Sequence, residues 1–259
     1  MKLSIITCTY NREKCLQQCI DSVIAQNLDL NTYEHIFVDA YSKDKTKTII
    51  KNYMAKYKNV RLIEREPKWV YNAMNEGIKE AKWEYILCLN SDDFLVDNIL
   101  SDYLWFVEKT GNKDLYCWIL NNVKNWDIEQ WFNRFVSIKK FLFVNFWSNV
   151  LIYHPTCLVK KKTLFEMWLF DEDKKIASDY GMWLKMIHNK KEFVYFPKSV
   201  SNFRVRNQSL TVSNEEIVRR ETNYYQKKYI KPINRYINKL VDILLYFYNK
   251  VLEFLGKIK

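Results

Sequence analysis

Short apolar runs alternate with stretches of helical periodicity through the first hundred residues. Lys2 to Thr9 (KLSIITCT) reads as a strand, and Leu16, Cys19, Ile20, Val23 and Ile24 form an apolar stripe at helical spacing behind a cap at Asn11. Glu34 to Asp39 (EHIFVD) is a second strand, a helix capped by Ser42 runs on to Met54, and Val60 to Glu64 is a third strand. Asn72 to Ala81 is helical, and the small residues Gly77 and Ala81, four apart, let that helix lie close to a sheet. Glu84 to Asn90 (EYILCLN) is nearly all apolar, as expected of a strand covered on both faces. This βαβαβαβ series predicts a mostly parallel sheet flanked by helices, with ligands bound beyond the carboxyl ends of the strands.

Polar residues gather at those ends. Thr7, Thr9, Tyr10 and Asn11 follow the first strand, Asp39 closes the second, and Asn90-Ser91-Asp92-Asp93 closes the strand that begins at Glu84. The second half is less regular: strands at Leu115 to Leu120, near Thr156 to Val159, around Phe193 to Phe196 and over Ser199 to Arg206, with a helix from Ser178 to Asn189 and an aromatic-rich segment from Trp126 to Trp147. No repeat or low-complexity linker interrupts residues 1–214, which reads as one continuous α/β domain. Residues 215–259 form a basic, amphipathic helical tail with ten Lys or Arg against five Asp or Glu, a stripe from Val241 to Leu255, and Pro232 dividing it into two helices. The tail suits an anionic membrane surface and equally suits packing on its own domain or on a second copy.

Composition narrows the choice of partners. The 259 residues are 48% hydrophobic, enough to bury a core and to exclude global disorder. A net charge of +11 points to anionic partners without choosing among phosphate esters, nucleic acid and acidic lipid. No zinc-finger, helix-turn-helix or RNP signature is present, so nucleic acid is not expected as a partner. The six cysteines have no CxxC spacing and read as reduced thiols. The apolar run after Lys2 is too short for a signal peptide, and the uncharged stretch from Phe141 to Val159 is broken by polar residues and Pro155. The expectation is a cytoplasmic protein, peripheral on the inner face of the plasma membrane.

Two adjacent acids after a buried strand raise each other's pKa unless a cation offsets them, so Asp92 and Asp93 are candidate ligands for Mg²⁺ or Mn²⁺ bridging a diphosphate; the alternative is a helix N-cap. The stretches SIITCTYNRE (4–13), EHIFVDAYSKDKT (34–46) and VYNAMNEGIKEAKWEYILCLNSDDF (70–94) resemble the family 2 glycosyltransferases, which have the GT-A fold. HPTCLVKKKTLFEMWLFDEDKKIASDYGMWLKM (154–186) and NFRVRNQSLT (202–211) are similar to the acceptor half of these enzymes. The likeness is strongest to the bacterial branch that builds capsule, O-antigen or exopolysaccharide.

The resemblance implies a nucleotide-binding half over 1–110 and an acceptor half over 111–214. It places Asp92 and Asp93 at the metal, with Asn90 in the first place of the family's D-x-D. Thr7, Thr9, Tyr10, Asn11 and Asp39 would line the nucleoside pocket, with Asn75 and Ser91 in the same donor site. Asp179 falls at the general base of an inverting single displacement, or else caps the helix that follows it. Arg204 and Arg206 resemble a loop that closes over the diphosphate, or form a solvated basic strand. His154 either touches the acceptor or is a satisfied buried histidine. Trp126, Trp131 and Phe146 are acceptor-stacking or core residues. The implied activity is metal-dependent transfer of a sugar from a nucleotide-sugar donor to a hydroxyl of a lipid-linked glycan. The alternatives are a noncatalytic, membrane-associated nucleotide-sugar-binding scaffold and a nucleotidyltransferase of similar fold. Trp69, Trp83 and Trp168 stand where the family has glycine, so an indole is expected to clash or to force the backbone there. Either the fold adjusts locally, or UGA codons read as glycine were translated as tryptophan.

Overall fold

The computed structural model describes residues 2–66, 68–124, 127–130, 152, 154–204 and 214–230. Strands β1 (Leu3–Thr9), β2 (Tyr33–Asp39), β3 (Val60–Glu64) and β4 (Tyr85–Cys88) alternate with helices α1 (Leu16–Ile24), α2 (Thr46–Lys56) and α3 (Val70–Glu80), as the pattern predicts. After them come β5 (Phe94–Leu95), α4 (Ile99–Thr110), β6 (Leu115–Lys124), β7 (Asp127–Gln130), β8 (Cys157–Lys160), α5 (Lys161–Glu166), α6 (Ser178–His188), β9 (Phe193–Arg204) and α7 (Glu215–Tyr229). Among the described residues the sheet has nine strands in the order β3-β2-β1-β4-β8-β6-β9-β5, with β7 paired to β6. β1 to β4 are mutually parallel, β8 reverses, and β6 and β9 return to the first direction, so the sheet is mostly parallel.

Strand alternation feeds a core on each face. Ile86 and Cys88 of β4 pack with Ile6, Tyr71, Met74, Trp183 and Met186 under α3 and α6. Tyr85 and Leu87, one position out of phase, pack with Leu3, Ile5, Val23, Leu100 and Tyr103 under α1 and α4. That two-sided demand is why EYILCLN has almost no polar position. Gly77 lets α3 sit down on the sheet: a Cβ there would come 2.5 Å from Ile6 Cγ2 and 3.2 Å from Val38 Cγ2.

Several local expectations are corrected. Asn11 and Ser42 do not cap helices, since α1 begins at Leu16 and α2 at Thr46, each without a side-chain cap. The segments around Phe193 and Ser199 form one strand whose pairing to β6 shifts register near Trp118 and Ile119. Helix α4, unassigned above, has Ile99, Leu100, Tyr103, Leu104 and Val107 buried at helical spacing. Of the settings left open for the tail, its first helix, α7, has the domain itself as neighbour: it lies on α6, with Tyr225 buried against Leu184. The stripe from Val241 to Leu255 lies outside the described residues, as do Trp126, Trp131 and Phe146; no helix among those described is long and apolar enough to cross a membrane.

Of the three tryptophans at expected glycine positions, only one occupies glycine-like backbone. Trp69 has φ −67° and an exposed ring beneath Lys175 Nζ, and Trp83 lies beneath Lys2 Nζ. Trp168 has φ +63° and is 83% exposed, with Leu169 at +61° beside it. An L-residue in that left-handed region costs about 1–2 kcal/mol, partly returned to glycine's disadvantage in the unfolded chain. Trp168→Gly is therefore expected to stabilise the protein by about 1 kcal/mol in chemical denaturation. Gly77→Ala should destabilise it by about 1–3 kcal/mol through overpacking against Ile6; an unchanged midpoint would contradict the close approach.

Candidate active site

The carboxyl edge of the sheet is tied together first by Asp39. In the β1–β2 register Thr9 stands opposite Asp39, and its hydroxyl donates to Asp39 Oδ2 at 2.8 Å. Ser42 donates its backbone N–H to Oδ1 at 2.8 Å and its hydroxyl to Oδ2 at 2.6 Å. Ser42 Oγ in turn accepts from the Asn11 N–H at 2.9 Å, and Asn11 Oδ1 accepts from the Lys43 N–H at 2.9 Å. A buried carboxylate thereby locks the two loops against each other, which is why the polar residues after β1 and β2 are spent on loop closure rather than on capping. Tyr10 and Tyr41 are left half-exposed on these loops, Asn11 and Tyr41 taking left-handed backbone.

A second knot lies beyond β4. Asn90 to Asp93 turn back so that the Asp93 N–H donates to the Asn90 carbonyl at 3.1 Å, and Asn90 Nδ2 donates to Asp93 Oδ2 at 2.8 Å. β5 pairs with the end of β9, which brings the Arg204 N–H to Asp93 Oδ1 at 3.0 Å. The Arg204 guanidinium lies over the Phe94 ring and donates to Gln18 of α1. Asp93 is almost fully buried, and burial followed by the neighbouring Asp92 charge pushes its carboxyl up to about 8. Neither acid caps a helix, since α4 begins beyond Asn98.

His154 joins this knot to Asp179. The imidazole sits in a short turn before β8 and contacts Asn90 Oδ1 through Nε2 at 2.9 Å and Asp179 Oδ2 through Nδ1 at 3.2 Å. With Asn90 Nδ2 directed at Asp93 Oδ2, its Oδ1 accepts and His154 Nε2 donates. The contact between Nδ1 and Asp179 then needs one proton between the two groups. An amide at position 90 is what makes the chain continuous, because it donates through Nδ2 to Asp93 and accepts through Oδ1 from His154. Asp179 Oδ1 accepts from the Tyr180 N–H at 2.8 Å and faces the Tyr71 hydroxyl at 3.0 Å. The same hydroxyl donates to the Ile176 carbonyl, and burial and Asp179 hold it protonated.

These contacts place most of the sequence candidates along one edge of the sheet, from Thr9 and Asp39 to Asn90, Asp93, His154, Asp179 and Arg204. The model for glycosyl transferase family 2 matches residues 4–168, more than half of the chain. The chain belongs to glycosyl transferase family 2. An uncharacterized glycosyltransferase of Methanocaldococcus jannaschii is 26% identical over 257 residues, 96% of this chain and 86% of that one. The poly(ribitol-phosphate) beta-N-acetylglucosaminyltransferase TarP of Staphylococcus aureus is 36% identical over 117 residues, 44% of this chain and 35% of its own length. Among solved structures, residues 1–349 of S. aureus TarS in complex with UDP-GlcNAc superpose with a TM-score of 0.71 at 22% identity, covering 98% of this chain and 73% of that one. The mannosyltransferase PcManGT of Pyrobaculum calidifontis, in complex with GDP-Man and Mn²⁺, gives 0.63 at 15% identity, covering 82% and 59%. The fold of this family 2 glycosyltransferase is GT-A.

Two residues assigned to the donor site face inward instead. Thr7 is fully buried and its hydroxyl lies 2.9 Å from His35 Nε2, an imidazole that burial holds neutral by pushing it down to about 3. Asn75 spends its amide on the turn after α5, donating to the Phe170 carbonyl at 2.9 Å and to Glu172 Oε1 at 3.0 Å, and accepting from the Phe170 N–H at 3.0 Å. Ser91 is buried within the Asn90–Asp93 turn, and Arg206 lies outside the described residues. Two residues not singled out from the sequence join this edge, Tyr71 at Asp179 and Glu221 of α7, which accepts from three N–H groups just before α6; Ser42, expected to cap a helix, bonds Asp39 instead.

For a divalent cation the donor set is small. Among the described residues no cluster of three or more His, Cys, Asp or Glu is placed to hold a metal. Half-buried Asp92, backed by Asp93, offers hard carboxylate oxygens of the kind that hold Mg²⁺ or Mn²⁺ when substrate phosphates complete the shell. The Asp93 carboxyl is raised by burial first and by the Asp92 charge second, with Asn90 and Arg204 acting against both.

That carboxyl gives the metal-free protein a pH signature. The unfolded chain ionises Asp93 near its ordinary 3.8 while the folded chain keeps the proton up to about 8, with Asp92, Arg204 and Cys19 as its charged or titratable neighbours. The contribution of Asp93 to stability is therefore full below the unfolded value and is lost as the pH rises through about 8. In thermal denaturation, the melting temperature of Asp93→Asn relative to the unmodified chain should rise steadily from pH 4 to pH 8; parallel profiles would contradict a buried, protonated Asp93.

Proposed function

We propose that this family 2 enzyme is a metal-dependent, inverting glycosyltransferase that moves a sugar from a nucleoside-diphosphate donor to a hydroxyl of a cell-surface polymer or its lipid-linked precursor. The observation that carries the reading is the hydrogen-bonded chain Asp179–His154–Asn90–Asp93, which couples the proton-accepting carboxylate to the acidic turn at the donor end. Asp92, with Asp93 behind it, would hold Mg²⁺ or Mn²⁺. A divalent cation there supplies positive charge to the departing diphosphate. Tyr10 and Tyr41, on loops fixed by Asp39, offer aromatic faces to the nucleoside, and Arg204 stands at the same edge for the diphosphate.

In the reaction, the acceptor oxygen bonds to the anomeric carbon as the bond from that carbon to the diphosphate oxygen breaks on the opposite face. Asp179 takes the proton of the acceptor hydroxyl, and His154 keeps the carboxylate aimed through its Oδ2. The Tyr180 N–H steadies the other oxygen. The names of the relatives support the substrate class: TarP acts on a poly(ribitol-phosphate), and a further relative, GgaB of Bacillus subtilis, is a minor teichoic acid biosynthesis protein. A membrane-face location rests on the basic segment beyond residue 230, which lies outside the described residues.

The test begins with a thermal-shift screen of UDP-, GDP- and dTDP-sugars in the presence of Mn²⁺, since a ligand that binds only the folded chain raises its melting temperature. With the donor so found, Asp179→Asn should leave the shift intact and lower transfer by about 10²- to 10⁴-fold. Undiminished transfer by Asp179→Asn would remove the carboxylate from the reaction.

A further inference from the structure

The tail helix carries a buried acid with an unusual set of partners. Glu221 of α7 is 4% exposed, and its carboxylate is directed at the backbone of the segment leading into α6. Oε1 accepts from the Lys175 N–H at 2.9 Å, while Oε2 accepts from the Ile176 and Ala177 N–H groups at 3.0 Å each. Ala177 is the N-cap of α6 and Asp179 lies in its first turn. Three consecutive amides, the N-cap and the two residues before it, are thus satisfied by one carboxylate placed near the helix end whose dipole favours it.

We propose that Glu221 is a positioning residue for Asp179, so that α7 is part of the catalytic unit although it lies beyond the matched residues 4–168. The inference rests on the reading of Asp179 as the proton acceptor. The Lys175–Ala177 segment is held from two sides: Glu221 takes its N–H groups, and Tyr71 of α3 donates to its Ile176 carbonyl while facing Asp179 Oδ1. One turn further along α7, Tyr225 donates to Asp171 Oδ2 at 2.7 Å and lies flat against Gly181 of α6. A Cβ at Gly181 would fall 2.2 Å from Tyr225 Cζ, so the two helices approach as closely as the missing side chain allows. Apolar packing alone would dock α7; a carboxylate spread over three amides additionally fixes the path of the backbone that aims Asp179.

The experiment uses the full chain and three readouts. Amide hydrogen exchange on the unmodified protein should find Lys175, Ile176 and Ala177 protected; exchange at the rate of open loop amides overturns the proposal without any variant. In Glu221→Gln one end of the side chain becomes a donor facing a donor, so the segment shifts. Because the chain has three histidines, its imidazole NMR spectrum is simple. At constant pH the His154 ring signals should move while those of His35, buried behind Thr7, stay in place; an unmoved His154 overturns the proposal. Steady-state release of nucleoside diphosphate from UDP-GlcNAc or GDP-mannose, with water or an added glycan as acceptor, gives the third. Glu221→Gln should lower kcat roughly 10- to 100-fold with donor KM unchanged, and should add no further loss to Asp179→Asn. Losses that multiply, or a kcat left intact, overturn it. Should Asp179→Asn keep full activity while His154 still responds to Glu221→Gln, the base assignment fails and the positioning contact stands.

Discussion

One imidazole joins the two halves of the sheet edge. The turn after β4 carries Asn90 and Asp93, the first turn of α6 carries Asp179, and these elements are far apart in the chain; His154 spans them with a hydrogen-bond contact at each ring nitrogen. The arrangement answers an electrostatic difficulty. Asp92, Asp93 and Asp179 bring three acids to one region, and like charges at short range oppose one another's ionisation. An imidazole and an amide stand between Asp93 and Asp179, so these two acids are connected without touching. Asn90 suits this position because its two ends have opposite hydrogen-bonding sense.

The same economy recurs around the site. Asp39 closes the loops after β1 and β2 by accepting from Thr9 and Ser42, Asn75 closes the turn before α6, and Glu221 closes the start of α6 itself. Each is a buried polar side chain satisfied by backbone or hydroxyl groups of a loop, which is the form in which burial of polar atoms is tolerated. Outside these closures Tyr10 and Tyr41 stay half-exposed on the loops after β1 and β2.

The first hundred residues were legible because their signals are periodic. Strands buried on both faces are apolar runs, Gly77 marks the close helix, and strand ends carry Asp39 and the Asn90–Asp93 turn. Helix α4 carried an equally clear stripe from Ile99 to Val107 that the pattern of strands obscured. Other features had no local signal. His154 is 64 residues from Asn90, and a lone histidine has no period. Ser42 has the position of a helix cap, and only the fold reveals that Asp39 claims it. Glu221 sits between Arg219, Arg220, Lys227 and Lys228 in a helix whose charge suggests a solvated face, and burial alone distinguishes it. Composition read the whole tail as one basic segment, whereas the first fifteen residues of it are docked on α6.

The central claim is that the donor-side acids and Asp179 share one site through His154. Paramagnetic broadening tests it directly: Mn²⁺ added with UDP or GDP relaxes nuclei near the ion, and the three histidines report from three places. The expected result is loss of the His154 imidazole signals at low Mn²⁺ while those of His188, out on the far end of α6, remain sharp. A His154 spectrum untouched by bound Mn²⁺–nucleotide would contradict the account.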